Sequence, residues 1–408
     1  MQFPMNFQTH FTALKDALNS SVNLWQYEVL NGYPDTLKYY PEQWLAYLDQ
    51  LSPQELYTLD NARDLSSLPA HAFKSWAQDL QQLTKIEKFK VHEEHAPIPK
   101  KALLNIKLKK QHELNYLKRL FKQYKIPLRF TKMLDIGGGM GHTSRIFSHF
   151  GGPPCICLEK DQGLIDRGRE KLKNLALPTG AQAFQFCQIE FGNNPVHDKK
   201  FFSANVFSLG LHTCGALANK HIQAYLQNPG GGLLNFGCCY GKLENQQEQN
   251  LSQFAQQDPL TFEKYALTLA TRSHAEMTFD DFLLKQIVKQ YRYTLHLYLY
   301  EKENQKKFQG LGNTPIKIYR EGSFADYVAY NLPGQYTAKD LNQFYAKSIP
   351  LVRKLFLANI IRWRFGRIIE QYILTDRCLY LQEHQRHVEM KELFHEHLSP
   401  RNIGILAF

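Results

Sequence analysis

The sequence predicts an α/β fold. A Rossmann-like, mainly parallel sheet is preceded by a helical N-terminal domain and interrupted by an insertion before its last helix and closing β-hairpin. Three observations carry this expectation. From Pro127 onward, segments of strand character alternate with segments of helical periodicity. A glycine-rich turn joins the first such strand to the helix after it, and the chain ends in a strand–turn–strand. Alternation of this kind requires crossover helices that cover both faces of a parallel sheet. The expected organisation is a helical domain over 1–100, the sheet domain over 101–243 and 350–408, and an insertion over 244–349 lying across the mouth of the sheet.

Four short helices are expected first, at Phe11–Leu18, Pro41–Leu51, Pro53–Leu59 and Ala72–Leu83. Pro41 and Pro53 sit where a first helical turn tolerates proline. Lys90–Lys101 is charged and holds prolines, which suits a connector. Lys107–Tyr124 carries Leu114, Leu117, Leu120 and Phe121 at helical spacing, with lysines on the other face. Strands follow at Phe130–Ile136, Pro154–Leu158, Ala183–Ile189, Asn205–Leu211 and Gly232–Phe236. Helices are expected between them at Gly141–Phe150, Gln162–Leu175 and Ala216–Leu226. In the insertion, Tyr293–Tyr300 alternates like an aromatic strand. Pro350–Glu383 reads as one long helical stretch. Val388–Phe394 and Ile403–Phe408 read as strands joined by a turn at Ser399-Pro400-Arg401.

The turn at Leu134-Asp135-Ile136-Gly137-Gly138-Gly139-Met140-Gly141 leaves a strand and enters a helix. Glycines permit the sharp turn and let the backbone approach a ligand, and the helix presents its positive end there. A dinucleotide loop needs Gly-x-Gly-x-x-Gly, but His142 stands three residues after Gly139. Here the glycines are Gly137, Gly139 and Gly141, with Asp135 two residues before the first. That is the arrangement of S-adenosylmethionine sites, where the acid orders the amino-acid end of the cofactor. Glu159 ends the second strand, where an acid accepts both ribose hydroxyls. Gln188, Ile189 and Glu190 end the third strand, the position that faces adenine. His142 is expected beside the cofactor in the first helical turn. In Lys109-Lys110-Gln111-His112-Glu113, Lys110 and His112 belong either to a solvated face or to a helix that closes over the cofactor's carboxylate.

The fourth strand ends in Leu211-His212-Thr213-Cys214-Gly215 and the fifth in Phe236-Gly237-Cys238-Cys239-Tyr240. Ligands of open α/β sheets sit at the carboxyl ends of strands, so both runs should converge beside the cofactor. Methyl transfer is an in-line displacement that needs a positioned acceptor and, for many acceptors, removal of a proton. His212 is the candidate base, because imidazole titrates near neutrality. Tyr240 is a candidate to stack on or orient the acceptor, and Cys239 completes the catalytic set. Cys214, Cys238 and Cys239 are read as small packing or lining residues, against the alternatives of a thiolate nucleophile or a metal site with His212, and no metal site is expected. Successive residues of a strand point to opposite faces, so Cys238 and Cys239 should not face the same way.

Several of these runs resemble the methyltransferase-like 25 family, some of whose members are labelled ribosomal RNA adenine dimethylase domain-containing proteins. The resemblance rests on Leu211-His212-Thr213-Cys214-Gly215, Gly237-Cys238-Cys239-Tyr240 with Lys242-Leu243, and Ser399-Pro400-Arg401-Asn402. It extends to Lys109-Lys110-Gln111-His112-Glu113, to Ile373–Glu383, and near the start to Pro41-Glu42-Gln43-Trp44 and 66–73. It implies a class I S-adenosylmethionine-dependent methyltransferase. Two positions depart from the family pattern: Ala216 stands where Asp is frequent, and Gly241 where His is frequent. A more distant similarity reaches the Trm13-type tRNA 2′-O-methyltransferases, whose zinc-binding cysteines and histidines have no counterpart here.

The 408 residues include 49 Lys and Arg against 38 Asp and Glu, a formal charge of +11, which favours anionic partners such as RNA. Seven cysteines without framework spacing suit a reducing, cytoplasmic setting. Met1–Asn19 lacks the features of a secretion signal, and no apolar run reaches the roughly 20 residues of a membrane span. The expected function is therefore S-adenosylmethionine-dependent methylation with RNA as acceptor. A protein side chain as acceptor, and a non-catalytic cofactor-binding regulator, are the alternatives; the oligomeric state is open.

Overall fold

The computed structural model describes residues 5–61, 65–91, 97–149, 152–173, 184–228, 231–272, 277–334 and 336–408. They form two compact units: 1–15, 85–271 and 370–408 in one, 16–84 and 272–369 in the other. This partition runs differently from the three-way division read from the sequence. Residues 244–271 cluster with the sheet, and 272–369 cluster with the N-terminal helices.

The first unit holds a seven-stranded sheet in the order β3-β2-β1-β4-β5-β7-β6. Its strands are β1 Lys132–Ile136, β2 Cys155–Glu159, β3 Phe184–Gln188, β4 Val206–Cys214, β5 Gly232–Cys238, β6 Val388–Glu392 and β7 Ile403–Ala407. β1 to β5 pair in parallel, and β7 runs antiparallel to both β5 and β6. The predicted α/β, Rossmann-like fold with its closing hairpin is the observed one. The strand order reverses between β1 and β4, so the crevice at their carboxyl ends is where this topology places a ligand.

Helices Leu108–Gln123, His142–His149, Gln162–Lys173 and Ala216–Leu226 stand at the predicted places. Phe150 and Leu175, the expected ends of two of them, and Ala183, the expected start of β3, lie outside the described residues. Leu114, Leu117, Leu120 and Phe121 bury one stripe of the first helix against Phe130, Phe147 and Phe207. The Phe121 ring stacks on Phe147 at 4.4 Å and meets Phe207 edge-on at 5.2 Å. β5 is buried along its whole length, as a central parallel strand covered on both faces must be. Residues 244–271 are tied down by Asp376, which accepts hydrogen bonds from Leu251 N at 2.7 Å, Ser252 N at 2.9 Å and Ser252 Oγ at 2.7 Å.

In the second unit, the expected strand Tyr293–Tyr300 lies within a 25-residue helix, Phe279–Glu303. Thr278 and Asp281 form a capping box that starts it well before the aromatic run. Every residue from Tyr293 to Leu299 is buried, so the helix has no polar face there to mark its period. The expected stretch Pro350–Glu383 is two helices, Ala338–Trp363 and Gly366–Glu383, with Pro350 inside the first. Among the described residues, no helix is long and apolar enough to cross a membrane.

Candidate functional site

The glycine turn has the backbone its composition demands. Gly137, Gly139 and Gly141 have φ of 66°, 60° and 67°, the left-handed region that side chains resist. A β-carbon on Gly138 would stand 2.5 Å from Cys157 Sγ and 2.8 Å from Asp135 Oδ2. On Gly141 it would meet the Phe184 and Phe186 rings at 2.6 and 2.8 Å, whereas on Gly139 it would meet nothing within 4 Å. The turn is thus packed from below and open at Gly139. Asp135 is buried and accepts from Ser144 Oγ at 2.8 Å and Ser144 N at 3.3 Å, which anchors the following helix. Burial raises its carboxyl pKa, against the pull of Lys110 and Ser144.

Glu159, at the end of β2, reaches the turn. Its Oε2 accepts from Gly139 N at 2.9 Å, and Oε1 accepts from Lys160 N at 2.9 Å and Asp161 N at 3.0 Å. A carboxylate so held keeps lone pairs for further donors. Gln188 and Glu190 are exposed at the end of β3 and Ile189 is half-buried between them. Glu190 pairs with Lys160 at 3.2 Å. His142 opens the helix after the glycines, and burial, then Arg145, lower its pKa to about 4, so it is neutral near pH 7.

β4 outlasts its predicted end and runs to Cys214. Its pairing with β5 slips between Leu211 and Thr213, leaving His212 as the extra residue, with φ at 66°. A bulge of this kind re-aims a side chain. Here it brings His212 Nε2 to 2.9 Å from Glu113 Oε1, on helix Leu108–Gln123. The same oxygen accepts from Ser399 Oγ at 2.8 Å and lies 3.7 Å from Lys109 Nζ. Glu113 is 1% exposed. Burial alone would raise its pKa, but the His212 hydrogen bond and the nearby charges outweigh it and bring the carboxyl to about 2. An ionised carboxylate only accepts, so His212 Nε2 carries a proton, and in the neutral imidazole Nδ1 holds the lone pair. Nδ1 is buried and has no hydrogen-bond partner among the described residues.

Lys110 shares the Glu113 side of this helix; burial lowers its pKa, while Glu113 and Asp135 raise it. His112 is turned elsewhere: its Nε2 accepts from His395 N at 3.1 Å and its ring lies 4.7 Å from Tyr116. Burial, then His395, lower its pKa to about 4.

Two expectations at the end of β5 are corrected. Cys239 has φ of 52°, so the strand stops at Cys238 and the chain swings round. Strand alternation therefore does not apply, and the sulfurs of Cys238 and Cys239 lie 3.8 Å apart on the same side. Cys214 Sγ is 3.5 Å from the first and 3.2 Å from the second. Within the trio Cys214 is the thiol driven down, first by its hydrogen bond with Cys238, whose own thiol is pushed up by the same bond. The swing also sends Tyr240 inward. Its side chain has no exposure, and its hydroxyl donates to Gly237 O at 3.0 Å and Glu370 Oε1 at 3.2 Å. It braces the end of β5 and is not placed to stack on an acceptor.

Glu113 and Ser399 are the site residues that sequence reasoning passes over. A signal exists for Glu113: it falls on the apolar stripe of its helix, four residues before Leu117 and seven before Leu120.

A parallel sheet with this order, a glycine turn after β1 and an acid closing β2 define a Rossmann-like fold. Residues 109–246 match a family model described as a methyltransferase domain. The match spans β1 to β5 and the helix that carries Glu113. The chain carries a methyltransferase domain.

Proposed function

We propose that the protein is an S-adenosylmethionine-dependent methyltransferase of the methyltransferase-like 25 kind, with RNA as its acceptor. The observation that carries this reading is His212: a bulged residue at the carboxyl end of β4, with one ring nitrogen tied to an ionised glutamate and the other without a hydrogen-bond partner among the described residues. That is how a general base is set.

The residues present fit the cofactor. Space stands open above Gly139, where its sulfur-bearing chain would pass. Glu159 beside it retains acceptor capacity for ribose hydroxyls, and Gln188, Ile189 and Glu190 stand at the next strand end for adenine. Lys110 brings a cation for the carboxylate, with Asp135 and His142 supporting the turn. Bound there, S-adenosylmethionine supplies a methyl group on a positively charged sulfur. Every other step falls to side chains. His212 Nδ1, buried in the structure, takes the proton of an acceptor O–H or N–H once the side chains that cover it give way to the acceptor, and Glu113 fixes the tautomer and balances the charge that develops on the ring. Ser399 and Lys109 hold Glu113. General-base catalysis of this type is worth roughly 10²–10⁴ in rate. The choice of RNA rests on the basic chain.

The test is to incubate the protein with methyl-labelled cofactor and a cell lysate and to separate RNA, protein and small molecules. Label is expected in RNA. His212→Ala is expected to reduce transfer by about 10²-fold or more while cofactor binding, measured by calorimetry, is kept. Label in protein alone would replace the acceptor, and undiminished transfer by His212→Ala would remove the base. Cofactor binding without any labelled product would favour a regulator.

A further inference from the structure

The three cysteines at the ends of β4 and β5 have no place in the proton transfer above, yet the backbone is bent to gather them. Cys239 holds a left-handed conformation that non-glycine residues adopt at a cost of about 1 kcal/mol or more. Cys214 follows the bulge of β4 by two residues. The result is three sulfurs separated by 3.2, 3.5 and 3.8 Å. Their ligand atoms form the group of possible metal donors found among the described residues.

We propose that Cys214, Cys238 and Cys239 bind one Zn²⁺ as thiolates and leave its fourth coordination position open. Tetrahedral zinc with Zn–S bonds of about 2.3 Å sets its sulfurs about 3.8 Å apart. The observed triangle needs only slight expansion to reach that size. Zn²⁺ with three thiolates carries one net negative charge. Lys242 acts electrostatically on Cys214 and Arg401 on Cys239, so a cationic side chain lies near each of these two thiols. Cys238 is buried, while Cys214 and Cys239 are half-buried, so the cluster has one side open to solvent. Three protein ligands with one open position is the pattern of reactive rather than structural zinc. Binding displaces the thiol protons to solvent, with no change of oxidation state. The open position would take water or a donor atom of the acceptor, two residues along the chain from His212. The proposal stands on the thiol geometry and does not require methyl transfer to RNA.

The test uses the full chain, reduced and stripped with a chelator, then titrated with Zn²⁺ against a chromophoric competitor. About one equivalent is expected to bind, with affinity lowered some 10–100-fold or more in Cys214→Ser and in Cys239→Ser and unchanged in Cys187→Ser. Cys214 and Cys239 are chosen because, unlike Cys238, they are not fully buried, and circular dichroism checks that the variants fold. Co²⁺ in place of Zn²⁺ is expected to give thiolate charge-transfer absorption and intense visible bands of a tetrahedral site. Failure of the wild-type chain to retain zinc would overturn the proposal. So would zinc retained by the Cys214→Ser/Cys239→Ser double variant, as binding at His112, His395 and His397 would produce.

Discussion

Glu113 is a fully buried carboxylate that must be ionised for His212 to keep its tautomer. Its carboxyl sits at about 2 in the fold against an ordinary 4.5. A depressed folded-state pKa means that the ionised form is favoured by folding. The contribution is on the order of 3 kcal/mol, fully present above pH 4.5 and lost as the pH falls through 2. Glu113→Gln is therefore expected to be less stable than the wild type at pH 7, with a gap that narrows below pH 4.5 and closes near 2. Urea denaturation across that range measures it; a gap independent of pH would show that the charge contributes nothing. The same substitution should depress methyl transfer, since Gln cannot balance a charged imidazole. His212 is legible in the sequence because it ends a strand that the alternation places beside the glycine turn. Its partners are not: Glu113 lies 99 residues upstream of it, and Ser399 lies 286 residues beyond Glu113. Only the folded sheet brings those three segments to one point. Tyr240 misleads for a local reason, because the left-handed turn at Cys239 reverses which face the next side chain takes.

Among the elements, the glycine turn is the most readable, since positive φ and close packing leave glycine little competition. Two of its residues should respond differently to the same change. Gly138→Ala places a methyl group against Cys157 and Asp135 and should cost about 1–3 kcal/mol of stability. Gly139→Ala meets no atom but must hold φ at 60°, a strain of roughly 1–2 kcal/mol, and its methyl stands where a ligand would approach. Thermal melts with and without cofactor separate the two. Gly138→Ala should lose melting temperature in both conditions, and Gly139→Ala chiefly the increment that cofactor adds. Helix Phe279–Glu303 shows the opposite limit of sequence reading. Its aromatic run alternates as a strand does, and the decisive residues, Thr278 and Asp281, stand well upstream of Tyr293. The helix is recognised only when its cap is read before its aromatic run. Thr278→Ala removes that capping box and should lower stability by about 1 kcal/mol, read as a lower melting temperature with unchanged cofactor affinity.

At the scale of the whole molecule, the sheet order follows from the alternation of strands and helices, because parallel neighbours leave few connections open. The grouping of 16–84 with 272–369 does not, since it joins segments far apart in the chain and leaves no local pattern. Net charge is equally visible, but its distribution matters more than its sum. Residues 85–132 hold fourteen Lys and Arg against four Asp and Glu, a strongly basic stretch. Helix Leu108–Gln123 leads into β1 and carries Glu113 near its start, so its first turn lies toward the carboxyl ends of the strands. Lys100 and Lys107, both exposed, stand just before that turn, whereas Lys122 and Lys125, also exposed, stand at the far end of the helix. If RNA is the acceptor, the first pair stands at the end of the helix nearer His212 and is the better placed to meet its phosphates. Lys100→Gln/Lys107→Gln is then expected to weaken RNA binding and to reduce the slope of log K against log salt by about one for each phosphate no longer neutralised. Lys122→Gln/Lys125→Gln removes the same charge and should change the slope less. Binding titrations at several salt concentrations decide it: equal losses of affinity from the two pairs would mean that RNA is held by net charge alone, without reference to the site.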